Sequence, residues 1–129
     1  MNNAHLFPDV PQFRVHSWDG DDMILQLTHY VRVSSSMGVV TIPTGFLTDG
    51  LSIPSWARPI VGPATGKPFL AGILHDYLYS RASTAHFDVD RAVADELFRE
   101  AMWNLGIGYR RNLIWAAVRV AGWKSWKKR

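Results

Sequence analysis

His75 and Asp76 stand side by side in this chain of 129 residues, and an imidazole next to a carboxylate offers one nitrogen and one oxygen donor. That pair recurs in metal-dependent phosphohydrolases, where mixed nitrogen and oxygen ligation suits zinc, manganese or iron. Asp49, in the segment Thr48-Asp-Gly-Leu-Ser-Ile-Pro54, would complete a three-ligand set with His75 and Asp76 if that segment folded back onto them. Asp95 is a fourth candidate, as ligand or general base. A metal held there would lower the pKa of a bound water towards neutrality and make it the nucleophile of a hydrolysis. The catalytic candidates are therefore Asp49, His75, Asp76 and Asp95, with a divalent metal or none as the cofactor.

A plain structural reading competes with this chemistry. Arg91, Asp95 and Arg99 follow one another at helical i, i+4 spacing, which is an ordinary surface ladder worth a few tenths of a kcal/mol per pair. Arg91 or Asp95 could instead reach across to His75 or Asp76 in a buried polar network without catalysis. Tyr79, one turn beyond His75, belongs to the same neighbourhood. Ser52 lacks the Gly-x-Ser-x-Gly setting of an exposed serine nucleophile, and the Gly62 to Lys67 stretch lacks the spacing of a phosphate-binding loop. His29 and His86 read as a core or edge histidine and as a loop or capping residue.

The elements that must position these residues are legible from periodicity. Phe13, Val15 and Ser17 alternate against Arg14, His16 and Trp18, and a turn follows at Asp19-Gly-Asp21. Met23, Leu25, Leu27, Val31 and Val33 then mark one apolar face of a long strand, and Val39 to Ile42 returns after a second turn. This predicts a three-stranded antiparallel meander over residues 12–43. Residues 44–68 are dense in proline and glycine yet too apolar for a disordered linker, so an ordered loop is expected.

Beyond Pro68 the period becomes helical. Leu70, Ile73, Leu74, Tyr77 and Leu78 form one stripe, and Ala94, Leu97, Phe98, Ala101 and Leu105 form a second, with Asp88 as N-cap and Gly106 and Gly108 as terminators. A third amphipathic helix starts near Tyr109, with Leu113, Ala117 and Val120 on one side and Arg111, Trp115 and Arg119 on another. The whole is an α+β fold: a small antiparallel meander, an ordered loop and about three helices. We expect one domain, with residues 1–11 as an arm, 69–122 as the helical part and 123–129 as a basic tail.

Composition limits the alternatives. The absence of cysteine excludes disulfides, thiolate nucleophiles and cysteine-based zinc sites. No run approaches the roughly 20 apolar residues of a transmembrane helix, and the start does not read as a secretory signal. Net charge is +3, with basic residues gathered at Lys124, Lys127, Lys128 and Arg129. Trp115, Arg119, Trp123 and Trp126 near that end suit a protein interface or the cover of a small core. The residues carry no nucleic-acid module, which argues against a nucleic-acid partner.

Three ordered motifs carry a resemblance: Pro43-Thr-Gly-Phe-Leu-Thr-Asp-Gly-Leu-Ser-Ile-Pro54, His75-Asp-Tyr-Leu-Tyr79, and Arg91 followed by Ala94-Asp95 and Phe98. Over roughly residues 12–122 the chain resembles a phage and prophage family known only as a domain of unknown function. Its members carry a Thr-Asp-Gly-Ala-Ser-Ile-Pro loop, a His-Asp-x-Leu-Tyr helix and an Ala-Asp-x-x-Phe helix; here Leu51 replaces the alanine. The resemblance implies that Asp49, Ser52, His75, Asp76, Tyr79, Arg91 and Asp95 meet in space. The resemblance is silent about reaction. The start of the chain points to synthesis in a host cytoplasm, with a place in the virion open, and the residues leave two readings: a small metal-dependent hydrolase acting on cell wall or phosphoesters, or a noncatalytic protein that binds phage structural proteins or a host factor through its Trp-rich basic end.

Overall fold

The computed structural model describes residues 11–20, 22–49, 59, 67–123 and 126. The fold is α+β. Strands β1 (Phe13–Asp19), β2 (Asp22–Leu27), β3 (Val31–Ser35), β4 (Gly38–Ile42) and β5 (Leu47–Thr48) precede the helices α1 (Lys67–Tyr79), α2 (Arg91–Asn104) and α3 (Arg110–Ala121). A 3-10 turn at Arg81–Ala85 separates α1 from α2.

The strands do not form one meander. The expected long strand breaks at Thr28–Tyr30, so that β1, β2 and β5 make one antiparallel sheet and β3 and β4 another. The break is held by its own hydrogen bonds, Thr28 N–H to Gln12 O at 2.9 Å and Leu27 N–H to Phe46 O at 2.9 Å. An unbroken period of two could not reveal this, because the alternation resumes in phase at Val31. His29, expected in the core or at an edge, is exposed at the break, with its ring against Tyr30. The ordered-loop expectation for residues 44–68 holds one strand, β5; residues 50–58 and 60–66, and with them Ser52, lie outside the described residues.

The core lies between the β3–β4 sheet and the helices. Val31 faces Ile42 and Val33 faces Val40 across that pair, all four buried, and β3 lies against α2. Ile73, Leu74, Tyr77 and Leu78 of α1 and Ala94, Leu97, Phe98, Ala101 and Met102 of α2 meet them. Phe13 and Phe69, with ring centroids 5.7 Å apart, fasten the root of the β1–β2 hairpin to α1.

The helix ends follow local chemistry. Asp90, rather than Asp88, caps α2: its carboxylate accepts from Val93 N–H at 2.9 Å. At the other end Gly106 takes φ 81°, Ile107 N–H reaches Met102 O at 3.0 Å and Gly106 N–H reaches Trp103 O at 2.9 Å. This is a Schellman stop, sealed by burial of Ile107. On α3 the buried face is Ile114, Ala117 and Val118, while Val120 is exposed. The buried face is rotated from the expected Leu113, Ala117 and Val120 stripe, and Arg119 bonds Asp95 of α2.

Candidate functional site

Asp95 is the centre of a polar network that joins all three helices. Its position three residues before Phe98 and seven before Met102 puts it on the buried face of α2, where it has no solvent exposure. An isolated carboxylate could not remain ionised there, so every oxygen is served. Oδ1 accepts from Tyr79 Oη at 2.6 Å and from His75 Nε2 at 2.8 Å, and Oδ2 accepts from Arg119 Nη1 at 2.7 Å. Burial pushes the Asp95 carboxyl up, but the bonds from His75, Tyr79 and Arg119 together hold it below the usual range.

Arg91 completes the arrangement. Its Nε donates to Tyr79 Oη at 3.2 Å, and its Nη2 donates to the carbonyls of Val118 and Arg119. Those carbonyls belong to the last turn of α3, where the helix dipole favours a cation, and Val118 O also accepts from Gly122 N–H at 2.7 Å. Burial, and after it the Asp95 carboxylate, raises the Tyr79 hydroxyl, so Tyr79 stays a proton donor. His75 lies between the rings of Tyr79 and Phe98, at 4.0 and 4.7 Å between centroids. Burial lowers its pKa more than Asp95 raises it, so the ring is neutral at pH 7. The bond to Asp95 therefore places the proton on Nε2 and leaves Nδ1 as the basic nitrogen, with no partner among the described residues. The side chain is 12% exposed.

Asp76, one residue on, faces another element. Its carboxylate accepts from the Thr48 hydroxyl and the Asp49 backbone N–H at the end of β5. Burial, and the Asp49 charge beside it, push its pKa up to about 6 despite those bonds. Thr48 is there because it pairs with Leu25 of β2 and points to the α1 side of the sheet, where it is buried. Asp49 itself is exposed.

The acidic and histidine candidates thus fall into two groups. His75, Asp95, Tyr79 and Arg91 come together with Arg119, and Asp76 comes together with Asp49. Asp95 is not the surface rung of an arginine ladder; Arg99 pairs with Glu96 at 2.9 Å and lies over the Trp115 ring. Among the described residues no group of three His, Asp or Glu side chains could hold a metal ion. Of the residues expected at an interface, Arg119 turns inward, Trp115 packs against the core, and Trp126 meets the Tyr79 ring edge-on at 5.2 Å. Trp123 is exposed.

The family model described as "Protein of unknown function (DUF1353)" matches residues 24–118. The chain belongs to this family. The matched span runs from β2 into α3 and includes every member of both groups except Arg119, one residue past its end. No curated protein and no solved structure shows a significant match.

Two partners escaped the reading of the sequence. Arg119 looked like part of a surface stripe with Arg111 and Trp115, and only the inward turn of α3 gives it Asp95. Thr48 sits beside Asp49 in the quoted loop motif, but its part as hydrogen-bond donor to Asp76 depends on the pairing of β5 with β2, which two residues of strand cannot announce.

Proposed function

We propose that this protein is a small hydrolase whose reacting group is the Asp76 carboxylate, with Asp49 beside it and the His75–Asp95 pair holding the adjoining turn of α1. The observation that carries the reading is a half-buried carboxyl pushed up to about 6 by burial and a second carboxylate. Such an arrangement costs stability, and groups of this kind cluster at functional sites. At pH 7 a carboxylate of that pKa is mostly ionised yet more basic than a free one, which suits it to take a proton from an attacking water.

The Asp49–Asp76 pair also fits a hard cation held by one or two carboxylates, such as magnesium or manganese, better than zinc with its three protein ligands. Such an ion would supply charge stabilisation at the scissile group. Phosphoesters or cell-wall bonds are the substrates we favour, and we read the chain as phage- or prophage-encoded on the strength of its three motifs.

Purified protein should hydrolyse a member of a panel of phosphoesters and peptidoglycan fragments, supplied with magnesium or manganese. The rate should rise with pH through about 6 and fall by roughly 100-fold or more in Asp76→Asn. Turnover unchanged in that variant would sink the assignment.

A noncatalytic reading, in which the protein binds a phage or host partner, has one observation of its own. Val120 and Trp123, three residues apart at the end of α3, leave large apolar side chains exposed. No turnover on the panel together with saturable partner binding lost in Trp123→Ser would favour it.

A further inference from the structure

The face of the β1–β2 hairpin that carries Phe13 and Leu27 continues in Val15, Trp18 and Met23, apolar side chains that stand exposed. From Arg14 to Asp19 every residue of β1 is exposed, and its outer edge carries no strand among the described residues. A bulge at His16 changes which side chains share a face. Val15 pairs with Leu25 and Trp18 with Met23, and Leu25 and Met23 lie two apart on β2, so all four share one face. Without the extra residue Trp18 would point the other way, as plain alternation suggests. Val15, Trp18 and Met23 are 53%, 65% and 41% exposed. The opposite face carries Arg14, whose Nε donates to Gln26 Oε1 at 2.7 Å.

We propose that a second copy of this chain pairs with the open edge of β1, antiparallel, about a two-fold axis between His16 and Ser17. Arg14-Val-His-Ser-Trp-Asp19 reads charge, apolar, polar, polar, apolar, opposite charge. In that register Arg14 lies across from the partner's Asp19 and Val15 across from the partner's Trp18, each pair on a common face. The bulge is what makes both matches compatible. The Arg14 Nη groups and the Asp19 carboxylate have no protein partner among the described residues, so both are available. A shift of two residues in the sum of paired positions sets Arg14 against Ser17 in one direction, and Val15 against Gly20 with Trp18 against Ser17 in the other. A foreign strand would have no need of this self-complementary order, whereas an isologous dimer requires it. The product is a continuous sheet of two three-stranded halves.

One strand pair with a few apolar side chains buries less than a standard interface of about 1,600 Å², so the dimer is weak. Sedimentation velocity from about 1 to 500 µM should show a monomer–dimer equilibrium with a dissociation constant of tens of micromolar. Arg14→Asp and Asp19→Arg alone should each weaken it by roughly 10-fold or more, the two together should bring it back to within about 3-fold, and Trp18→Lys should leave monomer. All three positions are exposed, so the variants should melt like the parent. Monomer at every concentration, a dimer indifferent to the single swaps, failure of the double swap to restore it, or binding of added strand-forming peptides without self-association would each overturn the proposal.

Discussion

Asp95 and Asp76 are both carboxylates held away from water, and their surroundings push them in opposite directions. Asp95 accepts three hydrogen bonds that favour the ionised form. Asp95→Ala leaves His75, Tyr79 and Arg119 without their acceptor and should cost about 3–5 kcal/mol in chemical denaturation. Asp76 is the reverse case. Its pKa is raised from 3.8 to about 6, so the native state binds the extra proton, and the stability this gives is full below pH 4 and lost as pH rises through 6. At pH 7.5 Asp76→Asn should therefore stabilise the protein, by an amount on the order of 2–3 kcal/mol, and at pH 4 it should not. His75 contributes with the opposite sign: its lowered pKa makes stability fall as pH drops below 6.5. Denaturation midpoints of the Asp76→Asn and parent proteins across pH 4–8 separate the two contributions.

Helices were legible as elements because their apolar stripes repeat over several turns, and α1 and α2 lie where Ile73, Leu74, Tyr77, Leu78 and Ala94, Leu97, Phe98, Ala101 predict. Their width was less legible. His75 and Asp95 are polar residues within the buried layer, where the hydrogen bond between them and those from Tyr79 and Arg119 to Asp95 offset their burial. The break after Leu27 and the bulge at His16 were hidden, since hydrophobic alternation records faces and not hydrogen-bond partners. At the end of α3, Gly122 lies so close to Tyr79 that a Cβ there would stand 2.9 Å from its hydroxyl oxygen. Gly122→Ala should displace Tyr79 from Asp95 and lower the thermal midpoint, and Gly106→Ala, at φ 81°, should cost about 1 kcal/mol through backbone strain alone.

Across the molecule, two polar ties hold layers that packing alone would leave free to slide. The Asp95 network ties α1, α2 and α3, and Glu100 of α2 ties the β3–β4 turn, accepting from Ser36 N–H at 2.7 Å and Ser36 Oγ at 2.6 Å. Glu100→Ala should speed hydrogen exchange at the Ser36 amide and cost about 1 kcal/mol, leaving the helical network intact. The sequence grouped Asp49, His75, Asp76 and Asp95 together, and the structure divides them between two networks. Adjacent residues on a helix differ by about 100° in direction, so His75 and Asp76 serve different neighbours although they are bonded in sequence. The functional reading rests on Asp76, and an NMR titration of its side-chain carboxyl carbon tests that most directly. The account predicts a pKa of about 6 that falls when Asp49→Asn removes the neighbouring charge; a value near 4 that ignores Asp49 would contradict it.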